Sequence, residues 1–143
     1  MTRDVIAASM DGKTVELTKK AEEGCNIIPL EFSDEAGKDV FNHTASHILA
    51  QAVKRLFPES KLTIGPAVES GFYYDIDTDV SVTPDVLDKL EVEMRKIVKE
   101  NLKIERFTLS RDDAVKLMKE RNEDYKVLLI SRIPEDEEVS FYR

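Results

Sequence analysis

The sequence predicts an α+β fold, and three observations carry that prediction. Apolar residues recur at helical spacing over residues 39–57 and again over 83–102. Short strand-type runs lie around them, bounded by Gly- and Pro-containing turns. Those strands do not alternate regularly with helices, as a parallel βαβ sheet would require, so antiparallel hairpins are expected beside the helices. No internal repeat is present.

Taken in order, "DVIAASMDGKTVEL" places Val5, Ala7, Val15 and Leu17 around the turn pair Asp11-Gly12 and predicts a hairpin. "CNIIPLEF" is a second strand-type run, in which Pro29 marks an edge or a strand end. "SDEAGKD", residues 33–39, is the expected module boundary, giving modules 1–33 and 34–143. A long helix is predicted from about residue 38 to 57, stopped by Pro58. Its core stripe is Phe41, Ala45, Ile48, Leu49, Ala52, Val53 and Leu56. "KLTIGPAVESGFYYDID" reads as a hairpin. The next helix opens on Thr83 as N-cap with Pro84 at its first position, and turns Val86, Leu87, Leu90, Met94, Ile97 and Val98 inward. "KIERFTL" is a predicted strand, and "SRDDAVKLMKERN" a helix capped by Ser110 and Asp113. "YKVLLI" and "EEVSFYR" are predicted as the last two strands, joined by the turn "SRIPED".

Composition narrows the function classes. With 41% hydrophobic residues among 143, the chain can bury a core, and no apolar run reaches the roughly 18 residues that span a bilayer. The single cysteine, Cys25, excludes an internal disulfide framework and a paired-cysteine metal site. Without a signal-type segment at the start, a cytoplasmic location is expected. A net charge of −8 argues against a free-standing nucleic-acid binder, because phosphate binding is mostly electrostatic.

Both histidines, His43 and His47, sit four apart on the long helix. That spacing puts both rings on one side, roughly 6 Å apart, opposite the apolar stripe. They could share a metal or one substrate. The residues between them are Thr44, Ala45 and Ser46, so the glutamate of an HExxH zinc protease is missing. Two ligands do not close a zinc site, and no metal is expected. An incidental surface pair is the plain alternative. Ser46 and Ala50 on the same face are small enough to leave room beside the rings. The "TIGP" turn and the "GFYYD" run follow closely, although Phe72 and Tyr73 are as readily explained by core packing. No P-loop, GxGxxG or GxSxG element can be assembled.

The stretch "FNHTASHILAQAVKRLFPESKLTIGPAVESGFYYDID" resembles the second N-terminal domain of threonyl-tRNA synthetases. Their pattern, H-S-x-x-H, then L-A-Q-A-V-K-R-L-x-P, I-G-P and G-F-Y-Y-D, is met at His43, His47, Leu49–Leu56, Pro58, Ile64–Pro66 and Gly71–Asp75. "NEDYKVLLISRIPEDEEVSFYR" resembles the family's Y-K-V segment and the acidic turn after it. Residues 3–32 resemble the later part of the small ubiquitin-like TGS module, so residues 1–33 would be a partial, β-rich TGS module. Three departures stand out. Thr44 replaces the family's serine, the TGS portion is partial, and the chain ends at Arg143 before the family's D-x-C-x-G-P-H motif. An N-terminal fragment of a longer enzyme is therefore expected.

The resemblance implies an editing hydrolase that removes serine from mischarged Ser-tRNA(Thr) within a threonine–tRNA ligase. It implies that His43, His47 and Lys126 are catalytic, and that Gly65 and Tyr74 bind substrate. Without it, Lys126 reads as a surface lysine at a strand start. The implied partners are the seryl-tRNA 3′ end and the enzyme's aminoacylation and anticodon-binding domains, in a homodimer with no membrane association. ATP, magnesium and zinc belong, by the same resemblance, to the aminoacylation domain, and no cofactor to this segment. The alternatives are an editing deacylase of the alanyl-tRNA-synthetase type, a non-catalytic tRNA-binding or regulatory appendage, and a plain interaction domain.

Overall fold

Asp11 and Gly12 take φ values of 50° and 81°, and two successive positive φ values turn the chain tightly back on itself. In the computed structural model, which describes residues 4–134 and 137–142, this turn joins β1 (Val5–Met10) to β2 (Lys13–Val15). The third strand, β3 (Ile27–Glu31), pairs antiparallel with β1 on its other side, in the order β2-β1-β3. Pro29 sits inside β3 opposite Ala8. It is tolerated because β3 is an edge strand.

The described residues form four helices and small antiparallel sheets, an α+β architecture. They divide into two units, one running up to His47 and including Gly65–Tyr73, the other made of Ile48–Ile64 and the chain from Tyr74 onward.

The first unit holds β1–β3 and the start of α1 (Glu35–Leu56). The entry to α1 is tight. Asp34 accepts a hydrogen bond from the Glu31 backbone N–H at 2.8 Å, and a Cβ on Gly37 would overlap the Glu31 carbonyl oxygen. Phe32 and Phe41 meet edge to face, their centroids 5.0 Å apart. The same unit holds β5 (Ala67–Val68) paired with β6 (Gly71–Phe72).

The second unit has two cores. One joins Ala50, Ala52 and Val53 of α1 to Leu90 and Ile97 of α2 (Pro84–Glu100) and to Leu62 of β4 (Lys61–Leu62). Strand β4 pairs with β7 (Ile76–Asp77), whose Ile76 packs against that cluster. Each fully buried Leu or Ile contributes roughly 1.5–3 kcal/mol of transfer free energy. Arg55 grips Glu100 through two nitrogens at 2.6 and 2.8 Å and reaches the buried Glu93 at 3.3 Å, which locks α1 to α2.

The other core is Ala114 and Met118 of α3 (Arg111–Glu120), Ile130 of α4 (Asp124–Ile130) and Val139 of β9 (Val139–Tyr142). Strand β9 pairs with β8 (Arg106–Leu109), and Phe107 stacks on Phe141.

Three predicted features change. On α2, Leu87 and Val98 are exposed rather than turned inward, while Glu93 is buried with Leu90 and Ile97. The other two changes concern α4 and α1. "YKVLLI" is helical, not a strand. A short apolar run does not distinguish the two by periodicity, and its helical turn is what brings Val127 and Ile130 together onto Met118 and Ala114. Its start is set by the end of α3. Asn122 adopts φ 55°, its N–H bonds to the Lys119 carbonyl, and the Glu123 N–H reaches back to Met118 at 2.9 Å. That Schellman closure ends α3 and leaves Glu123 as the N-cap of α4. The stripe on α1 also shifts. Phe41 and Leu56 are exposed, whereas Asn42, Ser46 and Ala50 are buried with Ala52 and Val53. Small side chains are covered easily by whatever surrounds them, while long ones at the flank of a stripe project past it.

The predicted turn "SRIPED" reaches Glu135 and Asp136, and the predicted strand "EEVSFYR" ends on Arg143; these three lie outside the described residues.

Candidate functional site

The helical spacing of His43 and His47 sets their meeting. Their Nε2 atoms are 3.0 Å apart and their rings perpendicular, at 87°, with both side chains exposed. A hydrogen bond between two such nitrogens needs one proton between them, so one ring donates while the other accepts. In that bond the proton of one Nε2 and the lone pair of the other satisfy each other, so a polar ligand reaches either only by displacing the bond. The small residues next to them do not open space. The Ser46 hydroxyl donates to the His43 carbonyl at 2.7 Å and is 1% exposed, and Ala50 belongs to the second unit's core.

In the second unit, Lys126 and Tyr74 come together. Lys126 is in the first turn of α4, not at the start of a strand. Its Nζ donates to the Thr63 carbonyl at 2.7 Å and stands 5.8 Å from the centre of the Tyr74 ring, within cation–π range. Burial pushes the Lys126 amine below its ordinary range, and the nearby Glu123 carboxylate opposes this. Burial pushes the Tyr74 phenol up, and Glu123 adds to that. The result is a half-buried cation facing a carbonyl and an aromatic ring.

Gly65 is half-buried and opens the Gly65–Tyr73 segment of the first unit, just before the β5–β6 pair. The structure thus pairs His43 with His47 inside one unit and Tyr74 with Lys126 inside the other.

Sequence reading passed over Lys54 and Glu123. Glu123 is 8% exposed, and its Oε1 is 3.0 Å from Lys54 Nζ, while Lys54 also donates to the Pro58 and Ser60 carbonyls, each at 2.9 Å. A signal was present. "NED" ahead of an apolar run is an acidic helix start after an Asn helix stop, and it would have placed Glu123 one turn before Lys126.

Among the described residues no group of three or more His, Cys, Asp or Glu side chains is placed to hold a metal. An open groove of about 500 Å³ between β8, β9 and α3 mixes Phe107 and Phe141 with Asp113, Lys116, Glu120 and Arg121. None of the five predicted site residues lines it. No helix among the described residues is long and apolar enough to cross a membrane.

No protein-family model matches the chain. Individual proteins do. The chain is 54% identical over all 143 residues to the threonine–tRNA ligase of Clostridium kluyveri, and 55% identical over the same length to that of Clostridioides difficile. It is 54% identical over 141 residues to that of Clostridium botulinum. In each case it spans 22% of the relative's length.

Proposed function

We propose, since this chain is related along its whole length to threonine–tRNA ligases, that it is the part of such an enzyme that hydrolyses Ser-tRNA(Thr). The observation that carries the reading is the exposed His43–His47 pair, whose Nε2 atoms share one proton across 3.0 Å and which an arriving water or ribose oxygen would part into one donor and one acceptor. Ester hydrolysis needs that combination. A water must be held with a lone pair aimed at the ester carbonyl, and the departing ribose oxygen must receive a proton. In the reaction the water oxygen bonds to the seryl carbonyl carbon, the ester C–O bond breaks, and free serine leaves tRNA with its 3′ end restored.

Lys126 has the second role. A cation in a poorly solvated place stabilises negative charge on a carbonyl oxygen more than one in water would. Tyr74 and Gly65 are the substrate-binding contacts in this reading. The need for the reaction is energetic. Serine lacks one methyl of threonine, and one methyl in a pocket is worth only about 1–3 kcal/mol of discrimination, so a second site must remove the error. The acidic chain would read the aminoacylated end, with the tRNA body held by other parts of the enzyme. A tRNA partner, a homodimeric assembly and a TGS-type module at residues 1–33 belong to the same proposal.

Single-turnover hydrolysis of Ser-tRNA(Thr), by this chain extended to its relatives' full length, tests the reading. His43→Ala and His47→Ala should each slow it by about 10²–10⁴-fold, the usual worth of a water-orienting or acid–base group. Normal rates in both variants would remove the editing role of the pair.

A further inference from the structure

Lys126 does not hold its place alone. Four rungs run between α4 and the β4–β7 region of the second unit: Lys61 to Asp124 at 2.6 Å, Leu62 N–H to Glu123 at 3.4 Å, Lys126 to the Thr63 carbonyl at 2.7 Å, and the Tyr125 hydroxyl to Asp77 at 2.8 Å. The first and last are exposed, and exposed pairs hold little. Glu123 is the buried rung. Its carbonyl accepts from the N–H of Lys126 at 3.0 Å and of Val127 at 3.1 Å, so it sets where the first turn of α4 begins. Its carboxylate meets the N–H of Leu62, whose neighbour Thr63 supplies the carbonyl that Lys126 grips. Donor and acceptor of the Lys126 contact are therefore both referenced to one residue, the donor through its backbone carbonyl and the acceptor through its carboxylate.

Lys54 fixes that side chain in turn. An ammonium has three protons, and those of Lys54 go to Glu123, the Pro58 carbonyl and the Ser60 carbonyl. The last turn of α1 is thus tied to the start of α4 through a cation with no proton to spare.

We propose that Glu123, anchored by Lys54, is a positioning residue that registers α4 so that the Lys126 amine stays on Thr63 and over Tyr74. Its bearing on catalysis rests on the editing role given above to Lys126; the registration itself does not. The titratable and charged groups around Lys126 are Glu123 on its own helix, Tyr74 from the facing segment and, through Glu123, Lys54 from α1.

The test is NMR on the 143-residue chain, following nuclear Overhauser contacts between the Lys126 ε-methylene and the Tyr74 ring, together with the titration of the amine. In Glu123→Gln the contacts should vanish and the titration should rise toward its ordinary range, because the released amine returns to water. Glu123→Asp, which keeps the charge on a shorter arm, should restore part of both. A folded Glu123→Gln chain that keeps the contacts overturns the proposal, whether its titration stays put or falls. Should that variant fail to fold, the apolar pair Lys54→Met with Glu123→Leu leaves no unpaired buried charge, and the contacts should again be lost. In the extended protein, Glu123→Gln should lower kcat for Ser-tRNA(Thr) hydrolysis about 10–100-fold, since small misplacements of a reacting group cost that much, with KM little changed. Release of Lys126 by Glu123→Gln, combined with a normal hydrolysis rate in Lys126→Ala, would remove the catalytic role given to Lys126 and leave the positioning role standing.

Discussion

Lys126 shows how one residue's surroundings become a pH dependence. Its amine is held below the ordinary 10.5, chiefly by burial. Between the lowered value and 10.5 the unfolded chain binds the proton that the folded chain has given up, so stability rises with pH across that window. Below the window the full desolvation cost is present. Lys126→Met has no such group. Urea unfolding of both proteins should therefore show the wild type gaining on Lys126→Met as pH climbs toward 10.5, and a constant difference would contradict the buried placement. Thr44 makes a complementary case. It is one position, about 100°, around the helix from His43, so Thr44→Ser should leave Ser-tRNA(Thr) hydrolysis within about twofold.

At the scale of elements, two junctions hold α1. Gly37 lies in its first turn, where Gly→Ala would ordinarily stabilise a helix by about 1 kcal/mol. Here the added methyl meets the backbone oxygen of Glu31, which cannot swing away as a side chain would. Gly37→Ala should instead destabilise the protein by about 1–3 kcal/mol, read as a lower denaturation midpoint. The other junction is ionic. Glu93 is held below the ordinary 4.5 by Lys96 and then Arg55, and Glu100 by Arg55. Lowered carboxyl values add stability above 4.5 that is lost as pH falls through the folded values. An acid titration of stability should be shallower in Glu93→Gln and in Glu100→Gln than in the wild type; equal slopes would mean that the Arg55 contacts contribute nothing.

For the molecule as a whole, the charge of −8 sets the expected behaviour toward nucleic acid. This chain alone should bind tRNA weakly, with a shallow loss of affinity between about 50 and 200 mM salt, because few phosphates can be neutralised. Fluorescence anisotropy measures both, and tight binding with a steep salt slope would show a basic surface that the sequence does not suggest. The chain should also retain no stoichiometric zinc after dialysis, since two helical histidines do not close a site. Elemental analysis finding one zinc per chain, lost in His47→Ala, would reverse that expectation.

The sequence by itself determined the elements whose causes are local. Asp11-Gly12 turned a hairpin because both positions accept positive φ, Pro29 kept β3 at an edge, and Ser110 capped α3 by accepting from the Asp113 N–H. The meeting of His43 and His47 was legible for the same reason: four residues along a helix is a fixed displacement. Only the tertiary structure decided whether "YKVLLI" became strand or helix, because both bury a short apolar run and only packing on Met118 and Ala114 chose between them. It also decided that Asn42, Ser46 and Ala50 lie buried while Phe41 does not, since a helical wheel knows the polarity of a face and not what covers it. The Lys54–Glu123 tie and the grip of Lys126 on Thr63 join positions more than sixty residues apart, and no periodicity or cap rule reaches across such a separation. Local geometry can be read from neighbours in sequence; a contact between distant segments exists only once folding has brought them together.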